Sequence, residues 1–471
     1  MSASHNPGTG TQDSAEIISE HLARTQFSDL PSAVVTTVKS AIIDTLACVL
    51  AGTPGEEIAS IQSLVRQWSG AQSSTVIGTG GLKVPPDNAV LANAAAVHQY
   101  DFDDTHDKAV CHPTAGSLLA SLALAQEKGG VSGKELITAI ALGNDVTCRV
   151  ALAITGKLNA YPWLRATIAG IFGATAASAK ILSADAAQHR HALGLALPQT
   201  GVTLASLHHG GSSVRSIRDG LTYRNSVLAA ELAMRGVRGD AEVFDGPYGL
   251  YHAYLRGEYD RSQLVDELGV RYETARVSLK PWPSCRHLHG TLTVVIDLLN
   301  RHGLKFEDID HVLLHVGDIN LDRCRDVSVG MVPAQRIDLL CNLPFAVGAA
   351  LRYADLPIRL YRESALADEI VTTAVPKVKW VHDPKQNGPW TLEPGMVEIF
   401  TVSGKTYAGE ARLALGHPDN PMPPERLKKK LVNCAAAAAR PLSEARANEI
   451  FDKVMNLEQL ADIEDLARLV A

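Results

Sequence analysis

The sequence predicts a mainly α protein: a large all-helical domain into which a smaller α+β domain is inserted. Three observations carry this. From Asp13 to about Thr274, apolar residues recur at helical spacing. After residue 275, short apolar runs flank a turn. Beyond Pro421 the helical pattern returns. The expected division is a disordered N-terminus at 1–13, a helical domain at 14–275 completed by 417–471, and an α+β domain at 276–416.

The first long helix starts at Ser32, a capping residue, and carries Val34, Val35, Val38, Ile42, Leu46 and Leu50 on one side before Gly52 closes it. Ala- and Leu-rich runs follow at Ser117–Lys128, Gly133–Leu152, Ala166–Ile181 and Ser226–Arg235. Their small residues let helices approach closely, and Gly170-x-x-Gly173 reads as such packing rather than as a phosphate loop. In the inserted domain, His311–Val316, Met396–Val402 and Thr406–Leu413 are the expected strands of an antiparallel sheet, with Ser403-Gly404-Lys405 as a turn. Helices are expected at Gly290–Asn300 and Pro344–Arg352, and in the tail at Glu425–Ala439 and Ser443–Val470.

Composition narrows the function classes. A net charge of -7 argues against holding a nucleic-acid backbone, and the basic run Lys428-Lys429-Lys430 reads as a solvated helix face. No window shows 18 to 20 uninterrupted apolar residues, so no membrane association is expected. Seven scattered cysteines without paired spacing suggest reduced thiols in the cytoplasm.

The chemistry-bearing stretch is residues 98–112, which pack four aspartates and three histidines into fifteen positions. Crowded carboxylates resist simultaneous ionisation and imidazoles titrate near neutrality, so proton transfer is one reading. A metal site is a second, because these residue types suit Zn, Mn or Fe, although only His98 and Asp101 have helical ligand spacing. A solvated loop of capping aspartates is the third.

A second stretch begins at Lys280, where Pro281 and Pro283 stiffen the backbone that presents the cation. The plainer alternative is an exposed loop lysine. Arg286 and His289 lie at the start of the following helix, where N–H groups and the helix dipole favour an anion. Cys285 reads as an inert thiol beside them. His208-His209-Gly210-Gly211 reads as a loop leading to Arg215, whose planar guanidinium suits a carboxylate.

The clusters Asp101-Phe102-Asp103-Asp104-Thr105, His112-Pro113-Thr114-Ala115-Gly116, Lys280-Pro281-Trp282-Pro283-Ser284-Cys285-Arg286-His287-Leu288-His289 and Gly416-His417-Pro418-Asp419-Asn420-Pro421-Met422 resemble the MmgE/PrpD family. That family includes 2-methylcitrate dehydratase, cis-aconitate decarboxylase and iminodisuccinate epimerase. The resemblance implies a cofactor-free homodimer in which the inserted α+β domain is a lid over the active site, and the poor ligand spacing adds the expectation that no metal is bound. The resemblance matches Asp101, Thr105 and His112 to the family's catalytic aspartate, threonine and histidine, and Lys280 to its lid lysine; Asp101, His112 and Lys280 are expected to be catalytic and Thr105 to hydrogen-bond the substrate. This chain departs from the decarboxylase pattern at Leu164, flanked by Trp163 and Arg165, where a second histidine would fall. It also departs at Arg215, which replaces a lysine, and at Leu321, which replaces a tyrosine of the mammalian decarboxylase.

The expected activity is therefore a lyase on a small di- or tricarboxylate, with dehydration of a 2-methylcitrate-like hydroxy acid as the first reading. Arg215, Lys280 and Arg286 would hold the carboxylates, with His289 alongside. The alternatives, in order, are epimerisation, decarboxylation and non-catalytic anion binding. Neither His112 nor Lys280 is expected to belong to a core.

Overall fold

The computed structural model describes residues 12–156, 160–205, 212–332, 336–387 and 392–471. Most of the expected N-terminal tail and the loop at 208–211 lie outside the described residues. Asp13, placed in that tail, instead caps the first helix, accepting from the Ala15 N–H at 2.8 Å.

The N-terminal part contains helices α1 (Ser14–Arg24), α2 (Ser32–Gly52), α3 (Glu56–Trp68), α4 (Pro86–Val97), α5 (Pro113–Lys128), α6 (Gly133–Leu152), α7 (Arg165–Ile181), α8 (Ala186–Ala196) and α9 (Val214–Met234). It is not purely helical, because Ser74–Thr75 (β1) pairs antiparallel with Lys83–Val84 (β2). Helix α7 packs on α5, α6 and α9. The contact is close: a Cβ at Gly173 would sit 2.3 Å from the Gly143 carbonyl oxygen and 1.9 Å from Thr147 Oγ1. Helix α2 is long and apolar enough to cross a membrane by length and composition, but most of it is buried within the protein.

Beyond these, α10 (His289–His302) packs on a four-stranded sheet of order β4-β3-β5-β6, made by Ile309–Val316 (β3), Val378–His382 (β4), Gly395–Thr401 (β5) and Thr406–Ala411 (β6). The sheet is mixed rather than antiparallel, since β4 joins β3 in parallel. Strand β4 escapes a hydrophobicity reading because only Val378 is buried. Helix α11 (Leu343–Tyr353) packs against α10 and β4.

The chain then returns to the bundle. Helix α12 (Pro424–Ala436) lies on α2, followed by α13 (Glu444–Met455) and α14 (Glu464–Val470). The last run is thus two helices, broken by a 3₁₀ turn at Leu457–Gln459. Lys430 does not join a solvated face. It is buried, 5% exposed, because Leu427, Leu431 and Cys434 share its side of the helix.

Three loops meet where these parts touch. Thr105 and Ser278 exchange backbone hydrogen bonds of 2.9 and 2.7 Å, and Leu279 N–H donates to the Gly416 carbonyl at 2.9 Å. Gly416 has φ +90°, and a Cβ there would lie 1.9 Å from the Leu279 carbonyl oxygen, so only glycine fits this approach.

Candidate active site

Asp101 is the hub. Lys280 Nζ donates to its carboxylate at 2.5 Å and to its backbone carbonyl at 2.8 Å, while Arg215 Nη2 donates to the other carboxylate oxygen at 3.1 Å. Asp101 also carries φ +47°, a left-handed conformation that costs an aspartate roughly 1 kcal/mol or more. The two bonds from one ammonium hold that strained residue in place. Burial alone would raise the Asp101 carboxyl, but Lys280 and Arg215 outweigh it and keep the group well below the usual carboxylate range. Burial opposes the Lys280 charge as well, and Asp101 and Asp103 override it. Lys280 is completely buried, which removes the expectation that it stands outside the core.

Beside this ion cluster lies a proton network. His98 Nδ1 sits 2.8 Å from Asp103 Oδ1, and Arg218 Nη2 donates to His98 Nε2 at 3.1 Å. Arginine only donates, so His98 is neutral with its proton on Nδ1. Burial, reinforced by Arg218, depresses the His98 pKa accordingly.

His112 Nδ1 lies 2.7 Å from the Asp104 carbonyl oxygen and 3.1 Å from Asp103 Oδ2. Both neighbours are acceptors, so Nδ1 carries the proton and Nε2 keeps the lone pair of the neutral ring. Burial works against charge on His112, but the Asp103 carboxylate raises its pKa above the ordinary value. Its side chain is 17% exposed, against 5% for Asp101, so it is the reachable proton carrier of the group.

Not every expected site residue joins this constellation. Arg286 is held by Asp107 through two 3.0 Å bonds and donates to the Leu415 carbonyl at 3.0 Å, so it clamps loops rather than awaiting a substrate. Aspartate at position 107, six residues beyond Asp101, was the available hint. His289 is fully buried, lies 3.1 Å from Ser284 Oγ and is held well below the usual histidine range by burial and by Arg286. Thr105 is buried, and its backbone forms the bridge to Ser278. Leu164 precedes α7 and donates its N–H to the Val202 carbonyl at 2.8 Å.

The sequence reading missed two residues that the geometry brings forward. Asp103 is fully buried and joins both histidines. Asp104 accepts from Thr114 Oγ1 at 2.5 Å, and burial pushes its carboxyl up to about 7. The spacing His98-x4-Asp103-x8-His112 was visible, but no periodicity links a helix end to the following loop.

His98, Asp103 and His112 are close enough to be considered as metal ligands, as are Asp101, Cys285 and Cys341. In the first set the separations are those of hydrogen bonds, and Arg218 occupies the lone pair of His98 while those bonds hold. In the second, two cations already cover the Asp101 carboxylate. The donors as arranged suit proton transfer and anion binding.

Comparison with known proteins agrees with the site motifs. Residues 16–262 match the MmgE/PrpD N-terminal domain, and residues 282–457 match the MmgE/PrpD C-terminal domain. The cis-aconitate decarboxylase of Aspergillus terreus is 26% identical, over 94% of this chain and 92% of its own length. A cis-aconitate decarboxylase-like protein of Aspergillus oryzae is 24% identical over 94% of both chains. The Homo sapiens cis-aconitate decarboxylase is 24% identical, over 94% of this chain and 91% of its own. With both domain families matched in order across most of its length, this chain belongs to the MmgE/PrpD family.

Proposed function

We propose that the protein is a cofactor-independent lyase acting on a small di- or tricarboxylate, and that it dehydrates a 2-methylcitrate-like hydroxy acid. The observation that carries this is His112, whose Nδ1 is held by Asp104 and Asp103 while Nε2 makes no hydrogen bond among the described residues, next to the Asp101 cluster with its buried Lys280 and partly exposed Arg215. Nε2 takes the proton from the carbon next to a substrate carboxylate. Arg215 and Lys280 stabilise the enediolate-like charge that develops there. Lys280, held above the usual lysine range, acts as a fixed charge, and the proton taken by His112 Nε2 passes to the hydroxyl on the neighbouring carbon, which leaves as water as the carbon–carbon double bond forms. The 276–416 segment closes over this site as a lid.

Cis-aconitate decarboxylation is the second reading, favoured by the names of the relatives, and Leu164, near where the decarboxylase's second histidine would fall, weighs against it. The test is proton NMR of purified protein in D₂O with 2-methylcitrate, citrate, cis-aconitate and iminodisuccinate. Loss of water from the first supports dehydration, and loss of CO₂ from cis-aconitate replaces it with decarboxylation. Deuterium exchange without net loss points to epimerisation, and no turnover of any leaves an anion-binding protein.

The working unit is proposed to be a homodimer. Val214, Leu221 and Leu228 recur every seven residues as exposed apolar side chains on one face of α9, and Arg224 of the same helix lies 5.4 Å over the exposed Trp68 ring. Sedimentation at micromolar concentration checks this, and a Leu221→Glu, Leu228→Glu variant is expected to be monomeric.

A further inference from the structure

All seven cysteines are unpaired, and two pairs lie together, Cys111 with Cys148 and Cys285 with Cys341; the first pair is buried, whereas the second includes a partly exposed thiol. Cys285 precedes the 3₁₀ turn Arg286–Leu288, and Cys341 follows the short helix Arg336–Leu340. The Cys285 N–H donates to the Leu340 carbonyl at 2.9 Å, which sets the two segments side by side. Standard bond lengths then keep the two Cα atoms within about 7 Å, the outer edge of the range a disulfide spans. The two sulfurs and an Asp101 carboxylate oxygen all lie within 4.8 Å of one another, and Arg215 Nη2 is 3.8 Å from Cys341 Sγ.

The two thiols are not equivalent. Cys285 is partly exposed and Cys341 is buried. A hydrogen bond from the Cys341 thiol, aided by His287 and against burial, holds the Cys285 thiol well below the ordinary range. The same bond, with burial, pushes Cys341 well above it. Burial also raises the thiols of Cys48, Cys148, Cys324 and Cys434. A reachable thiolate with a second thiol in contact is the arrangement that peroxide oxidises first and a partner then resolves.

We propose that Cys285 and Cys341 are a peroxide-responsive dithiol that closes to a disulfide beside Asp101 and Arg215. The Cys285 thiolate attacks one oxygen of hydrogen peroxide. A sulfur–oxygen bond forms, the oxygen–oxygen bond breaks, and the leaving hydroxide takes a proton to become water. The Cys341 sulfur then attacks the sulfenic sulfur. A disulfide forms, the sulfur–oxygen bond breaks, and the departing hydroxide leaves as water with the Cys341 proton. The two thiols lose two electrons and the peroxide gains them. Closure to about 2 Å draws Cys341 Sγ away from Arg215 and disturbs the cation that holds Asp101.

The test uses the full chain, reduced and then exposed to a few equivalents of hydrogen peroxide, alkylated, digested and read by mass spectrometry. The expected product is a Cys285–Cys341 linked peptide, lighter by two hydrogens and restored by dithiothreitol. Before oxidation, Cys285 is expected to alkylate roughly tenfold faster than any buried thiol. In Cys341→Ser, Cys285 should stop at a sulfenic acid trapped by a cyclic dione and then proceed to sulfinic acid without a disulfide. The peptide readout needs no substrate, so it stands apart from the lyase assignment. Turnover of peroxide-treated protein, relative to the same protein untreated, is expected to fall at least fivefold in the wild type and to recover with dithiothreitol. Both thiols remaining alkylatable after peroxide, or Cys285 pairing with a different cysteine, overturns the proposal.

Discussion

Two buried lysine–aspartate pairs lie side by side in this molecule, and they are built differently. Lys280 meets Asp101 and Lys430 meets Asp44, at 2.5 and 2.6 Å. Lys430 Nζ has three acceptors, namely Asp44, the Phe102 carbonyl and the Lys280 carbonyl, and it lies 3.6 Å over the Phe102 ring. That is a closed set, as expected of a scaffold clamp. Asp101 instead gathers two cations beside a histidine that keeps one nitrogen open. Burial pushes the Asp44 carboxyl up to about 6, whereas Asp101 is driven well below the usual range because its cations outnumber it. Pair chemistry therefore follows from the number of partners as much as from burial.

The sharpest way to break the comparison is Lys280→Ala. Turnover is expected to fall by at least roughly 10²-fold, with a loss of about 3 kcal/mol or more in unfolding free energy because Asp101 stays buried with fewer cations. His112→Ala should match the loss of turnover, and the double variant should be little worse than the poorer single one. Steady-state rates with chemical denaturation decide it. If Lys280→Ala turns over normally, the ion cluster is scaffold like its neighbour.

The next effect belongs to Lys430. Lys430→Ala is expected to cost about 3–5 kcal/mol of stability by stranding Asp44, while Lys430→Met with Asp44→Leu should recover most of it. The Asp101→Ala, Lys280→Ala pair should likewise regain stability but not turnover. Recovery of turnover in that pair would erase the distinction between the two sites.

Acid sharpens the contrast, since the two aspartates respond with opposite sign. The raised Asp44 group favours the folded state at low pH, and this contribution, about 3 kcal/mol, is lost as pH rises from about 4 to 6. The depressed Asp101 group contributes stability above the unfolded aspartate pKa and loses it as pH falls further. Denaturation midpoints from pH 3 to 7 should show Asp44→Asn flattening the first slope and Asp101→Asn the second. Identical curves for both variants would contradict the assignment.

The smallest predicted effect is a displaced pH profile. Since the His112 pKa is raised and its neutral form is the base, kcat/KM should climb with pH through a value above the ordinary histidine one. Asp103→Asn should move that limb to lower pH, and an unmoved limb assigns the base elsewhere.

Much of this was legible in the chain. The helices follow their apolar spacing, and the two polar clusters mark both halves of the site. Less legible were contacts between residues distant in sequence. Lys430 reads as one of three surface lysines unless its place among Leu427, Leu431 and Cys434 is noticed, and Asp44 is a lone acid within an apolar helix. Arg286 looks like an anion binder until Asp107 is found on it. Strand β4 exposes most of its side chains, so its pairing rests on backbone bonds that leave no hydrophobic pattern.

Lys430 also orders events during synthesis. Its acceptors come from α2, the acidic loop and the Lys280 segment. A nascent chain on the ribosome must therefore keep these three acceptor groups hydrated or shielded until residue 430 has emerged. The acidic loop and the Lys280 segment thus reach their final burial only after most of the chain has been made.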